Sequence, residues 1–133
     1  HAAINSINGI LDLQGKGKCH HVSVADVIDV IKALLENDNF RKDNRSLYEL
    51  LARAHAIAGH KQEVLAAYEN AYSLAPKMRT LVSMIRYAAT TNEQDAMLSY
   101  FDRARRDERI SFRDRMLYAD TIDDLEKNTR SIP

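Results

Sequence analysis

Apolar residues recur at helical spacing along almost the whole chain, and no segment alternates apolar and polar residues over the length of a strand. The clearest segment contains Val24, Val27, Ile28 and Ile31, which lie on one face of a helix. Only four glycines and two prolines are present, fewer than an all-β protein usually needs for its turns. Seven helical segments, joined mostly by short connections that force successive helices to run antiparallel, predict an all-α fold.

Helix-capping residues mark several of the predicted helix ends. Gly59 follows an apolar stripe and is the residue type preferred directly after a helix C-terminus. Asn44 or Ser46 is expected to cap the third helix, since both side chains accept hydrogen bonds from free backbone N–H groups. Three capping boxes place a serine three residues before an acid: Ser23 with Asp26, Ser46 with Glu49, and Ser111 with Asp114.

The charge balance argues against a nucleic-acid-binding protein. Lys and Arg number 19, Asp and Glu also number 19, and the formal net charge is zero. Arginines crowd residues 103–115, but Asp107, Glu108 and Asp114 interleave with them, which is typical of a solvated, salt-bridged segment. No apolar stretch approaches the roughly 18 residues of a membrane-spanning helix, so we expect no direct membrane insertion by this segment.

Patterns that would indicate catalysis or metal binding are weak. Cys19, His20 and His21 are adjacent, so at most two of them could bind one ion, and no second ligand pair has zinc-site spacing. His55 and His60 are five residues apart, not the four that place two ligands on one helix face, and His60 lies in a predicted turn, where we expect it in solvent. The chain has no phosphate-binding glycine loop, serine elbow or HExxH motif. We therefore expect no enzymatic activity, metal or cofactor in this segment.

Equivalent residues return every 33 positions from Leu51 onward. Leu51, Met84 and Leu117 have this spacing, and each lies in the middle of a predicted helix. A helical hairpin buries only one face by itself, so repeated hairpins must stack to enclose a core. The second helices of the predicted hairpins keep the same offset: Val64 with Met97, Tyr68 with Phe101, and Ala71 with Ala104.

The segment 45–76 resembles a tetratricopeptide repeat (TPR), a pair of antiparallel helices, at Tyr48, Leu51, Ala52, Gly59, Tyr68, Ala71 and Pro76. The resemblance implies that residues 1–133 form a single domain, a TPR-like right-handed stack of antiparallel helical hairpins with about seven helices. It also implies a packed core position for His55, where the repeat pattern prefers an aromatic residue. Its expected parts are a divergent helix pair at 1–39, the best-matching unit at 44–76, a second unit at 77–109 and a terminal helix at 111–127.

The TPR resemblance also implies a non-catalytic scaffold that binds a peptide or partner domain in a concave groove lined by the first helix of each hairpin. Guanidinium groups bind carboxylates through paired hydrogen bonds, so we expect a protein or peptide partner, in particular an acidic one. The alternative is that the arginines only face solvent and pair with neighbouring acids. The expected partner-binding residues are Arg53, Arg79, Arg86 and Arg115, flanked by Glu49, Val82 and Phe112.

The terminal helix has no predicted partner helix. Its apolar side chains would therefore remain uncovered in an isolated copy of the chain. A second copy could cover them, which would make the protein a homodimer through this helix.

A second, less specific resemblance links the N-terminal part to soluble C-terminal regions of bacterial membrane-bound O-antigen ligases and polysaccharide polymerases. The resemblance depends on residues 1–13, Gly15, Cys19 and the helix end at 34–37. It implies an alternative function, an accessory region of a larger membrane protein for O-antigen, polysaccharide or glycan transfer, with the chemistry outside this segment. The chain begins at His1 without Met, so we expect a piece of a longer protein, either cytoplasmic or, in that membrane context, periplasmic.

Overall fold

The computed structural model describes residues 2–15 and 23–130, and in these ranges it contains helices and no strand. The prediction of an all-α fold is confirmed. None of the helices in these ranges is long and apolar enough to cross a membrane. The chain divides into two compact units, residues 1–74 and 75–133. The α-helices are α1 (Ala2–Gly15), α2 (Val24–Glu36), α3 (Asn44–Ala58), α4 (Lys61–Leu74), α5 (Met78–Thr90), α6 (Gln94–Arg106) and α7 (Phe112–Arg130), and a 3-10 helix spans Asp38–Asp43.

The first unit is organised around α3, which packs against α1, α2 and α4. Leu47 and Ala54 of α3 are fully buried, as are Leu11 of α1, Ile31 of α2 and Val64 of α4. Ile31 belongs to the apolar stripe predicted for α2, and Val64 to the repeated positions of the second helices. The core of this unit therefore forms where the stripes of three helices meet α3.

The second unit consists of the α5–α6 hairpin with α7 packed against both helices. Leu81 and Ile85 of α5 are fully buried, and Phe101 and Ala104 of α6 are nearly so. Ile122 of α7 is also buried. The second unit thus has a core of its own, built from the inward stripes of three helices.

The N-terminus of α2 agrees with its sequence signal, whereas that of α3 does not. The Ser23 side chain caps α2 and accepts a hydrogen bond from the Asp26 backbone N–H at 3.1 Å. The prediction that Asn44 or Ser46 caps α3 is wrong, because the N-cap is Asp43 and its side chain makes no capping bond. The chain enters α3 directly from the 3-10 helix, so the Asn44 N–H already donates to the Arg41 carbonyl.

The α3–α4 and α5–α6 turns have the same backbone geometry. Gly59 and Asn92 are 33 residues apart, and both have a positive φ, 82° and 56° respectively. Asparagine tolerates this left-handed region better than most residues, so it can take the place of glycine. In each turn an N–H donates to the carbonyl five residues earlier: His60 to His55 at 2.9 Å, and Glu93 to Ala88 at 2.8 Å.

Asp114 connects α7 to α5. Its backbone N–H donates to the Ser111 side chain at 3.1 Å, as the capping box predicts. Its carboxylate does not complete the box but accepts a hydrogen bond from the backbone N–H of Met78 at 2.8 Å. Met78 is the first residue of α5, and the N-cap Lys77 supplies no side-chain bond. Asp114 therefore satisfies a free N–H and places negative charge at the positive end of α5.

The 33-residue spacing relates core positions in the two hairpins but not in the terminal helix. Leu51 is 8% exposed and Met84 is fully buried, whereas Leu117 is 69% exposed. The expected equivalence of the three positions fails at Leu117, because no helix follows α7 within the described residues to cover that side. A single domain with TPR-like stacking of the hairpins stays a prediction.

Candidate interaction surface

Most arginine side chains in the described part of the chain are already engaged. Arg105 pairs with Glu126 at 2.6 Å, and Arg45 with Glu49 at 3.2 Å. Contacts with acids, carbonyl oxygens or an aromatic ring also occupy Arg41, Arg53, Arg103, Arg106, Arg109 and Arg115. Within residues 23–129, the exceptions are Arg79, Arg86 and Arg113, whose exposed side chains make no ion pair or hydrogen bond.

In the first unit, Arg53 and Glu49 have partners within the same unit. The Arg53 guanidinium donates to Asp12 and to the side-chain oxygen of Asn8, both on α1. Glu49 accepts a hydrogen bond from Arg45 one turn earlier on α3. The Arg53 contacts connect α1 to α3, and the Arg45–Glu49 pair links successive turns of α3. Both charged side chains, Arg53 and Glu49, therefore have partners within the fold and need no ligand.

In the second unit, two more of the predicted residues have structural roles. Arg115 donates to the carbonyl of Asp107, the C-cap of α6, and so places positive charge at the negative end of that helix. Val82 is 5% exposed and belongs to the core, where it offers no surface to a partner. Arg79, Arg86 and Phe112 remain at the surface, and Phe112 is 77% exposed.

Arg79 and Arg86 form a positively charged stripe on α5. They are seven residues apart, which places them within about 20° of each other around the helix and about 10.5 Å apart along it. No residue from Met78 to Thr90 is acidic, so neither arginine has an ion-pair partner on its own helix. The stripe can therefore attract two negatively charged groups about 10 Å apart.

A pocket of about 280 Å³ lies between α6 and the C-terminal half of α7. The Glu126 carboxylate at the pocket is bound by Arg105, so its charge is balanced within the unit. Met97, Leu98 and Phe101 contribute the large apolar side chains of its lining. The lining residues are Asn92, Gln94, Met97, Leu98, Phe101, Glu126 and Thr129.

Sequence reasoning did not identify this pocket. The one signal that could have indicated it is Leu98, a large apolar residue outside the inward stripe of its helix. In the structure Leu98 is 68% exposed, whereas Met97 and Phe101 beside it are buried.

His55 and His60 form a hydrogen-bonded pair at the α3–α4 turn. His55 is 6% exposed, which confirms its predicted core position, and His60 is exposed. Their Nδ1 atoms are 3.0 Å apart, so one ring must donate and the other must accept. Burial lowers the pKa of His55, as do the neighbouring His60 and Lys32, and Glu63 opposes them. The arrangement favours a neutral His55 ring.

Metal ligands do not cluster in the described part of the chain. No group of three or more His, Cys, Asp or Glu side chains is placed to hold an ion there. The two histidines of the turn provide two nitrogen ligands, fewer than a structural metal site uses. The motif Cys19-His20-His21 lies outside the described residues.

Comparison with known proteins adds no relative. No family model matches the chain, and neither a curated protein nor a solved structure matches it. The two family resemblances drawn from the sequence stay predictions. The candidate surface is therefore defined by the unpaired arginines of α5.

Proposed function

We propose that this chain is a non-catalytic protein-interaction module, and that Arg79 and Arg86 of α5 bind an acidic peptide segment. The observation that supports the proposal most directly is the contrast among the arginines. Those of α3 and α6 have partners within their own unit, whereas these two are exposed on a helix without acids. Exposed guanidinium groups that stabilise nothing in the fold are available to carboxylates of a partner.

The spacing of the two arginines suits an extended partner. They are about 10.5 Å apart along α5. An extended peptide rises about 3.3 Å per residue, so carboxylates three residues apart are separated by about 10 Å. Side chains three residues apart point the same way when the peptide adopts the polyproline II conformation, which has three residues per turn and a rise of about 3.1 Å per residue, so both carboxylates can face the helix. The preferred segment therefore carries two acids three positions apart.

The position of α5 in its hairpin also favours this function. The two hairpins, α3–α4 and α5–α6, have turns with matching hydrogen bonds at an offset of 33 residues. Helical-repeat proteins bind extended partners on the surfaces of their helical hairpins. The proposed surface lies on α5, the first helix of the second hairpin.

The proposal is tested with a fluorescein-labelled, extended peptide that carries two glutamates three residues apart and is otherwise neutral. Binding to the 133-residue chain is followed by fluorescence anisotropy. Arg79→Glu combined with Arg86→Glu should weaken binding by about tenfold or more, since each lost charge contact contributes on the order of 1 kcal/mol. Raising the salt concentration should weaken binding by the wild-type chain as well.

The matched control is Arg106→Glu, which reverses an arginine in the same unit. The Arg106 side chain is 81% exposed and forms an ion pair with Asp102 one turn earlier. This variant should bind the peptide as the wild-type chain does, although its net charge equals that of a variant in which only one of the two α5 arginines is reversed. If the variant with both Arg79→Glu and Arg86→Glu binds the peptide as tightly as the wild-type chain, with unchanged helical circular dichroism, the α5 arginines serve only to solvate the surface.

A further inference from the structure

His60 connects the two helices of the first hairpin. Its backbone N–H donates to the His55 carbonyl of α3 at 2.9 Å, and its own carbonyl accepts from the Val64 N–H of α4 at 3.1 Å. Its ring adds a side-chain bond, since the Nδ1 atoms of His55 and His60 are 3.0 Å apart. Backbone groups do not titrate near neutral pH, so the ring-to-ring bond is the part of this turn that a proton can remove.

The number of protons on the two rings decides whether this bond can form. A hydrogen bond between two Nδ1 atoms needs one nitrogen with a hydrogen and one without. Two neutral rings satisfy this condition, and so do one charged and one neutral ring, because the charged ring donates and the neutral ring accepts. Two charged rings cannot satisfy it, since both Nδ1 atoms then carry a hydrogen. The bond therefore survives the first proton and is lost with the second.

The two rings differ in exposure, which sets the order of protonation. His55 is 6% exposed, whereas His60 is an exposed residue of the turn. Burial disfavours the charged form of a histidine, so the first proton binds to the hydrated ring of His60. His60 then donates to the neutral His55 ring in a charge-assisted hydrogen bond, which is stronger than a bond between two neutral groups.

Groups on the elements around α3 make a second proton unfavourable while the rings are in contact. Burial is the main cause that lowers the pKa of His55, and the charged groups that act on it are His60 of the turn, Lys32 of α2 and Glu63 of α4. The first two lower the pKa further, and the acid opposes them. On α1, the carboxylate of Asp12 is already bound to Arg53. The ring centroids are 5.2 Å apart, a distance at which two like charges repel each other.

From this geometry we propose that the His55–His60 pair is a pH-sensitive clasp, which holds the α3–α4 turn closed while at most one ring is charged and releases it when both are. Release separates the rings and exposes His55 to water. The open turn binds two protons where the closed turn binds one, so a fall in pH below about 6.5 favours opening. This inference concerns the first unit and does not depend on the peptide binding proposed for Arg79 and Arg86.

An NMR titration of the histidine rings in the 133-residue chain, from about pH 8 to about pH 4.5, tests the clasp. The Cε1–H resonance of each ring reports its charge, and nuclear Overhauser effects between the rings report their contact. His60 should bind its proton first, with the ring contact retained. His55 should bind its proton at lower pH, and the ring contact should disappear in that same step.

Two results of the titration would overturn the proposal. Loss of the ring contact with the first proton would show that the charge-assisted bond does not form. Retention of the contact when both rings are charged would show that the turn does not depend on the bond.

Hydrogen exchange distinguishes opening of the turn from unfolding of the whole unit. The His60 amide, which donates to the His55 carbonyl, should lose protection with the second proton. The amide of Ala54, a fully buried residue in the middle of α3, should stay protected at the same pH. Simultaneous loss of protection at both amides would show that the unit unfolds as a whole and that the turn is not a separate device.

His60→Asn should abolish the pH dependence of the turn. The asparagine amide takes the place of Nδ1, and an amide can either donate to a neutral His55 or accept from a charged one. The amide of residue 60 should therefore stay protected across the titration. Loss of its protection at the same pH as in the wild-type chain would contradict the clasp.

Lys32→Gln is the matched control, because it removes a charge that acts on His55 but leaves the two rings intact. This variant should raise the pKa of His55, since Lys32 lowers it in the wild-type chain. Loss of the ring contact should move to higher pH together with the protonation of His55. A shift of the protonation without a shift of the contact would show that the second proton does not open the turn.

Discussion

Truncation of the three residues spaced 33 positions apart should have very unequal effects on stability. Leu51 is 8% exposed and Met84 is fully buried. Replacing a buried leucine or methionine with alanine typically costs about 2 to 5 kcal/mol, through the lost transfer free energy and the cavity that remains. Leu51→Ala and Met84→Ala should each lower the free energy of unfolding by about 2 to 4 kcal/mol.

Leu117 provides the contrast within the same series. It is 69% exposed, so only about a third of its surface is removed from water. Full burial of a leucine side chain contributes about 1.5 to 3 kcal/mol, and a third of this amount is about 0.5 to 1 kcal/mol. Leu117→Ala should therefore cost less than about 1 kcal/mol.

Urea unfolding followed by circular dichroism at 222 nm measures the series. A loss of about 3 kcal/mol shifts the midpoint by about 1 to 3 M urea, since m for small proteins is about 1 to 3 kcal/mol per M. The measurement is made at low chain concentration so that association does not contribute. A cost for Leu117→Ala equal to that of Met84→Ala would refute the exposure of this side of α7. A cost below about 1 kcal/mol for Leu51→Ala would refute its place in the core.

Three further predictions concern single contacts. Asp114→Ala should cost about 1 to 2 kcal/mol and speed hydrogen exchange of the Met78 amide, which loses its acceptor; unchanged exchange would refute the contact. Gly59→Ala should cost about 1 to 2 kcal/mol in urea unfolding because φ is positive there, although a Cβ would meet no atom; a neutral effect would contradict the left-handed conformation. The free energy of unfolding should fall as pH decreases below about 6.5, because His55 in the unfolded chain then binds a proton that burial makes unfavourable in the folded chain. His55→Gln should reduce this pH dependence, measured by thermal unfolding at pH 7.5 and 5.5.

Features set by neighbouring residues in the chain could be predicted from the sequence. The cap at Ser23 and the left-handed Gly59 depend on a few adjacent backbone groups, and both are present in the structure. The core position of His55 was expected from the TPR resemblance, and the residue is 6% exposed in the structure. The all-α fold follows from the same periodicity, because helices with one apolar face must pack against one another.

Features that depend on distant parts of the chain could not be predicted in this way. The Asp114 carboxylate bonds to Met78, 36 residues earlier, and Arg53 bonds to Asp12, 41 residues earlier. The 33-residue spacing aligned Arg53 with Arg86 but carried no information about which arginine has an acid nearby. The α6–α7 pocket was missed for a similar reason, since it exists only where two helices far apart in sequence meet.

The bond between Asp114 and Met78 also limits how the second unit can be shortened. A fragment that ends at Arg109 would retain the α5–α6 hairpin but lose the carboxylate at the start of α5. The same cut would remove Ile122, whose buried side chain covers part of the hairpin. We therefore expect the hairpin alone to be less stable than the whole second unit, and a shortened C-terminal half to need most of α7 to keep these two contacts.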